Sequence, residues 1–226
     1  MFCDGDSMIL KTTGATLFYE KSGDGLPIIL LHGNGEDHKI FKETIALLEK
    51  HFCVYAIDTR GHGQSSPVAE FHYEDMANDI YEFICKLELE KPIVYGFSDG
   101  GIVALLLSIR HPELLSKIIV SGINVQPDGM EKSWIRLFKF GYFFTRSKKI
   151  KLMIEEPNIT DEMLSHVTIP VFMTAGTKDM VKQSHIKEIS DKLKNCSLTI
   201  FPGESHGSYV VNCEKIAKYI LETCIG

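Results

Sequence analysis

Short apolar runs recur along the chain at residues 28–31, 54–57, 93–95, 118–120, 171–173 and 198–201. Each is too continuous for a half-exposed strand. Strands buried on both faces read this way, and they predict a parallel sheet covered by helices. The segments between them change period. Phe41, Ile45 and Leu48 share a helical face after the first run, and Met76, Ala77, Ile80, Phe83 and Ile84 share one after the second. Ile102, Leu105, Leu106 and Ile109 repeat the pattern, as do Ile186, Ile189 and Leu193, and finally Ile216, Ala217, Ile220 and Leu221. Ahead of the first run, residues 7–21 read as a hairpin turning at Thr13-Gly14. Strands alternating with helices predict a doubly wound α/β domain with right-handed crossovers. At 226 residues, one domain over 1–226 is the simplest count.

One interval breaks the rhythm. More than forty residues separate the runs at 118–120 and 171–173, about twice a normal crossover. Within it, residues 130–144 form an aromatic-rich helix candidate. The expectation is a short lid inserted at 126–168, with Trp134, Phe138 and Phe140 on its inner face against the substrate.

Charge and cysteine usage narrow the partners. A net charge of −6 argues against nucleic acid and against docking on an anionic membrane. Lysines and arginines do gather between 139 and 151, but aromatics alternate with them as on a single two-faced helix with one side in solvent. No apolar run approaches the ~20 residues a bilayer needs. The first six residues are acidic and lack the basic-then-apolar order of a secretory signal. The six cysteines (Cys3, Cys53, Cys85, Cys196, Cys213, Cys224) form no Cys-x-x-Cys pair, which favours free thiols in a reducing cytoplasm over disulfides or a zinc site.

The chemistry concentrates where the third buried run ends. Gly96-Phe97-Ser98-Asp99-Gly100-Gly101 places a serine between glycines at a strand-to-helix junction, the Gly-x-Ser-x-Gly nucleophile elbow. So tight a turn strains the serine backbone and leaves no room for Cβ atoms at the flanking glycines. It also aims the amide of Asp99 at whatever Ser98 attacks. Serine needs a base, and the base needs an orienting acid. Of nine histidines, His206 stands in a glycine-flanked loop directly after the last strand, on the sheet edge where ligands collect. Asp179 follows the penultimate strand through a turn at Gly176 and is the candidate acid. Leu31-His32-Gly33-Asn34-Gly35 follows the first buried run, and the Asn34 amide is the candidate second oxyanion donor beside that of Asp99. His32 is read as shaping this loop. Asp99 carries two readings. It is a helix-start residue favoured by the helix dipole, or its carboxylate faces the pocket and selects substrates carrying an amine.

Together these segments resemble the α/β-hydrolase superfamily over essentially the whole chain. The matches are LHGNG at 31–35, DTRGHGQS at 58–65, GFSDGG at 96–101, the Gly176-x-x-Asp179 turn and SHG at 205–207. The chain is most similar to small serine esterases and to the group holding biphenyl-hydrolase-like and carbon–carbon bond hydrolases, with a reduced lid. The resemblance implies a mostly parallel eight-stranded sheet with an antiparallel second strand, and a loop-shaping role for 58–65. It leads us to expect hydrolysis of a small carboxylic ester or thioester through an acyl-enzyme on Ser98, with no metal or organic cofactor. Two rivals stand beside that expectation. One is a carbon–carbon bond hydrolase with the same triad, needing Arg136, Arg60 or a similar group for a substrate carboxylate. The other is a ligand receptor or scaffold on this fold. Oligomeric state is not legible.

Overall fold

A computed structural model describes residues 6–225. The chain opens with a hairpin, β1 (Asp6–Lys11) and β2 (Thr16–Ser22), then alternates strand and helix. The order continues β3 (Leu26–Leu31), α1 (Lys42–Leu48), β4 (Phe52–Asp58), α2 (Tyr73–Lys86), β5 (Ile93–Phe97) and α3 (Asp99–Arg110). It closes with β6 (Lys117–Ser121), α4 (Lys132–Thr145), α5 (Lys148–Glu155), α6 (Asp161–Ser165), β7 (Val171–Lys178), α7 (Gln183–Lys192), β8 (Cys196–Ser205) and α8 (Lys215–Ile225). The strands form one sheet of order β1-β2-β4-β3-β5-β6-β7-β8, in which β2 meets β4 antiparallel and the strands from β3 to β8 run parallel.

The continuous apolar runs have a direct cause. Alternate residues of each central strand enter different cores. Ile29, Leu31, Tyr55 and Ile57 pack with α2 and α3, whereas Ile28, Leu30, Val54 and Ala56 pack with α1 and α8 on the opposite face. β8 departs from the expectation: as the sheet's last strand it is mostly half-exposed, because nothing among the described residues pairs with its outer edge. β7 departs too. It continues through Gly176 to Lys178 with a register shift rather than turning there, and a Cβ on Gly176 would lie 2.2 Å from the Glu204 carbonyl oxygen of β8. That glycine serves close strand approach.

Register positions the site. Leu31 lies level with Gly96, Gly96 with Val120, and Val120 with Met173. Four parallel strands therefore release their loops along one edge.

The insertion differs from the single two-faced helix expected. Arg146 adopts a left-handed conformation (φ 52°) that ends α4, and the Ser147 side chain caps α5 by accepting from the Ile150 amide. No residue of α4 is buried. Ile135, Phe138, Gly141 and Tyr142 are its half-buried members, while Leu137, Phe140, Phe143 and Phe144 stand more than half exposed. The lid begins with an anchor, an amide–carbonyl bond from Glu131 to Met180 at 2.8 Å.

Cys53, Cys85, Cys196, Cys213 and Cys224 are free thiols; Cys3, and the N-terminal residues read for a signal, lie outside the described residues apart from the backbone of Asp6. No helix among the described residues is long and apolar enough to cross a membrane.

Candidate active site

Ser98 sits between β5 and α3 with φ 52° and ψ −115°, a conformation that costs a non-glycine residue of order 1–3 kcal/mol. The neighbours enforce it. A Cβ on Gly96 would lie 2.2 Å from the Gly100 carbonyl oxygen, and one on Gly100 would lie 2.2 Å from that of Leu31. The Ser98 amide donates to the Ser121 carbonyl at 2.8 Å, tying the turn to β6.

Two loops from distant parts of the chain complete a relay. His206 follows β8, and its Nε2 lies 3.0 Å from Ser98 Oγ. Its Nδ1 lies 2.7 Å from Asp179 Oδ1, on a carboxylate with no exposed side-chain surface. The same Oδ1 accepts from the Val181 amide at 2.9 Å, which orients the carboxylate. The His206 ring packs on Phe97 with centroids 5.0 Å apart, and a Cβ on Gly122 would lie 2.8 Å from His206 Cε1. Nucleophile, base and acid are thus in bonding contact in one line, the arrangement of a serine hydrolase.

Opposite the relay lies the loop after β3. The Gly33 amide donates to Glu36 Oε2 at 3.0 Å, so that donor is spent. Burial pushes the Glu36 carboxyl pKa up. The amides of Asn34 and Asp99, in contrast, have no protein hydrogen-bond partner among the described residues. His32 holds the loop from beneath. Its Nδ1 donates to the Gly33 carbonyl at 2.8 Å and its Nε2 accepts from the Thr59 amide at 3.0 Å; burial lowers its pKa. His62 packs edge-on against it, with a pKa lowered to about 3 by burial and by His32. Asp58 accepts from the His38 amide, His38 Nδ1 and the Gln64 amide, a loop tie. Asp37, His38 and Asp58 also bring metal-type ligand atoms within 4.8 Å of one another, but those bonds already occupy Asp58.

The recess at Ser98 is narrow, with a cavity volume of about 10 Å³, and is lined by Tyr73, Asp99, Asn124, Met130, Met153 and Glu156 among others. Trp134, Phe138 and Phe140, expected on the inner face of the lid, are not among its lining residues. The reason is geometric. At 100° per residue Trp134, Leu137, Phe140 and Phe144 share one side of α4, and that side faces solvent, while half-buried Phe138 packs against Trp134. Met153 of α5 and Glu156 after it reach the site instead. Arg60 is engaged by Asp79 and Asp75, and neither it nor Arg136 lines the recess.

A family model described as alpha/beta hydrolase fold matches residues 27–141. The AB hydrolase superfamily protein YisY of Bacillus subtilis is 30% identical over 92% of this chain and 94% of that protein. The chain belongs to the alpha/beta hydrolase fold family. Human serine hydrolase BPHL is similar at 28% identity over 89% of this chain and 80% of its own length. Among solved structures, a thermophilic esterase from Thermogutta terrifontis superposes with a TM-score of 0.79 at 20% identity, covering 96% of this chain and 97% of its own, a likeness of fold.

Sequence reasoning missed Tyr73. It begins α2, buried, and its hydroxyl donates to Asp99 Oδ1 at 2.8 Å. A tyrosine at a helix start carries no local sign of that partner, 26 residues away.

Proposed function

We propose that the protein cleaves a small carboxylic ester or thioester through an acyl-enzyme on Ser98. The relay from Asp179 through His206 to Ser98, facing two amides without partners among the described residues, carries this reading. Ser98 Oγ attacks the acyl carbon while His206 Nε2 takes its proton. Asp179 holds the imidazole tautomer and balances the imidazolium. The Asn34 and Asp99 amides receive the oxyanion. His206 then returns the proton to the leaving alcohol or thiol, and water repeats the sequence to release the acid. The recess is narrow, which favours a short acyl group over a long one, and the open groove beside it, sharing Tyr73 and Glu156, has room for the remainder. The named activities of the esterase and serine-hydrolase relatives support the same class, and the free cysteines support a cytoplasmic setting. Labelling of Ser98 by a fluorophosphonate, followed by a panel of acyl esters and thioesters, tests the proposal. We expect kcat/KM to fall beyond roughly ten acyl carbons. A panel without turnover, or an unlabelled Ser98, overturns it.

One observation bears on substrate charge. Asp99 and Glu156 both line the recess, and no lysine or arginine among the described residues does. A carboxylate substrate for carbon–carbon cleavage therefore finds no counter-charge there, whereas an ammonium-bearing ester meets two carboxyl groups that it would share with Asn34, Tyr73 and His72. The ratio of kcat/KM for an amino ester and its neutral isostere checks this, because Asp99→Asn is expected to lower that ratio. An unchanged ratio removes Asp99 from substrate recognition.

A further inference from the structure

The two residues whose amides are assigned to the oxyanion also bind each other through their side chains. Asn34 Nδ2 donates to Asp99 Oδ2 at 2.8 Å, across 65 residues of sequence. The other Asp99 oxygen accepts from the Tyr73 hydroxyl at 2.8 Å. Asn34 Nδ2 also donates to the Lys149 carbonyl, at 3.1 Å, in the first turn of α5. Asp99 is 6% exposed, and burial raises its carboxyl pKa against the two hydrogen bonds that lower it. A carboxylate kept in so dry a place is costly unless its partners are fixed. The polar groups of helix start and loop could have faced water; they are instead closed on one another beside the nucleophile.

We infer that the Asn34–Asp99–Tyr73 side-chain network is a positioning device that sets the separation of the two oxyanion amides and ties it to the seating of the lid helix α5. The inference rests on the ester-hydrolase reading above. Its physical basis is that an oxyanion donor helps only when it lies at hydrogen-bond distance from where the charge develops. The loop after β3 turns at Gly35 (φ 75°) and its Gly33 amide is held by Glu36, so its backbone is braced on one side. Asn34 braces the other side. It reaches the elbow through Asp99 and the lid through Lys149, so displacement of α5 removes one of the two bonds that hold it. Tyr73 fixes Asp99 in turn, from α2. Asn34 and Tyr73 act through the amides they place and touch no reacting atom with their side chains.

The test uses steady-state kinetics on a neutral short-chain ester. Asn34→Ala keeps the backbone amide but frees its position. We expect kcat to fall about 10- to 100-fold with KM within about two-fold, because the donors act in the transition state. Asn34→Asp sets two carboxylates against each other and is expected to be worse. The exchange Asn34→Asp with Asp99→Asn restores the donor–acceptor pair between the two positions and keeps an acceptor for Tyr73, but leaves the Lys149 carbonyl without its donor, so it is expected to recover about ten-fold over Asn34→Asp without reaching wild type. This reciprocal rescue also covers the case in which a single variant folds poorly. Thermal unfolding run alongside separates loss of fold from loss of placement. A folded Asn34→Ala with kcat near wild type, a loss appearing only in KM, or an exchange variant without recovery overturns the inference. If the wild-type protein turns over no ester and Ser98 resists a fluorophosphonate, the hydrolase reading falls and this inference with it. If the wild type is active and the variants do not differ from it, only the inference falls.

Discussion

The elbow and α4 obey different rules. Around Ser98 nearly every position is dictated by a neighbour: α3 is buried from Asp99 to Ser108, and a Cβ on Gly96 or Gly100 would come within 2.2 Å of a backbone oxygen. On α4 no residue is buried, and four large apolar side chains are more than half exposed. Close packing leaves one residue type per position and so makes function legible. A helix resting on a surface satisfies the same apolar pattern with either side outward, and its aromatics do not reveal which way it lies.

Experiments can break this contrast at several strengths. Ser98→Ala removes the nucleophile from a site whose frame stays intact, so kcat should fall about 10⁴- to 10⁶-fold with unfolding unchanged. Activity near wild type in that variant ends the relay mechanism. Gly100→Ala attacks the frame itself, since its Cβ would meet the Leu31 carbonyl carbon and oxygen and the His32 carbonyl oxygen. A loss of roughly 3 kcal/mol or more in urea unfolding is expected, and a loss below about 1 kcal/mol means the elbow is more pliant than it looks.

The histidine layer under the oxyanion loop gives a smaller, pH-dependent effect. His62 has a folded pKa of about 3, lowered by burial and by His32, against an ordinary value of 6.5. The unfolded chain binds a proton there as pH falls below 6.5 and the folded chain does not. Its contribution is therefore present above the unfolded pKa and is lost as pH falls. Between pH 7.5 and pH 5 it amounts to about 2 kcal/mol. Denaturant titrations at the two pH values should show that drop in the wild type and a shallower one in His62→Asn. Equal slopes contradict the burial argument. The smallest effect belongs to the lid. Phe140→Ser should leave kcat/KM for a short ester within about two-fold, because the side chain is outside the recess. A ten-fold loss returns α4 to the substrate.

Much of the site is legible because its residues answer to local constraints. Ser98 is announced by its glycines, and Asp179 and His206 by their places after the last two strands. His32 follows from its loop, where it bonds Gly33 and Thr59. The reading fails in two places where the constraint is not local. The apolar run in β8 reads as doubly buried, yet strand order leaves it at the edge. Residues 139–151 read as one helix, yet a left-handed Arg146 divides them.

Hydrophobic period and glycine placement act over a few residues, so the alternation of buried strands and helices outside the insertion, the elbow and the identity of the candidate acid and base can be read from the chain alone. What crosses the sheet edge depends on folding in three dimensions. Folding brought Asn34 and Tyr73 onto Asp99 from 65 and 26 residues away. It also chose which side of α4 faces water, and made Met153 and Glu156 rather than the aromatics the lid's contribution to the recess. Those outcomes depend on how separate elements pack, and packing energy is a sum over neighbours that no single segment carries.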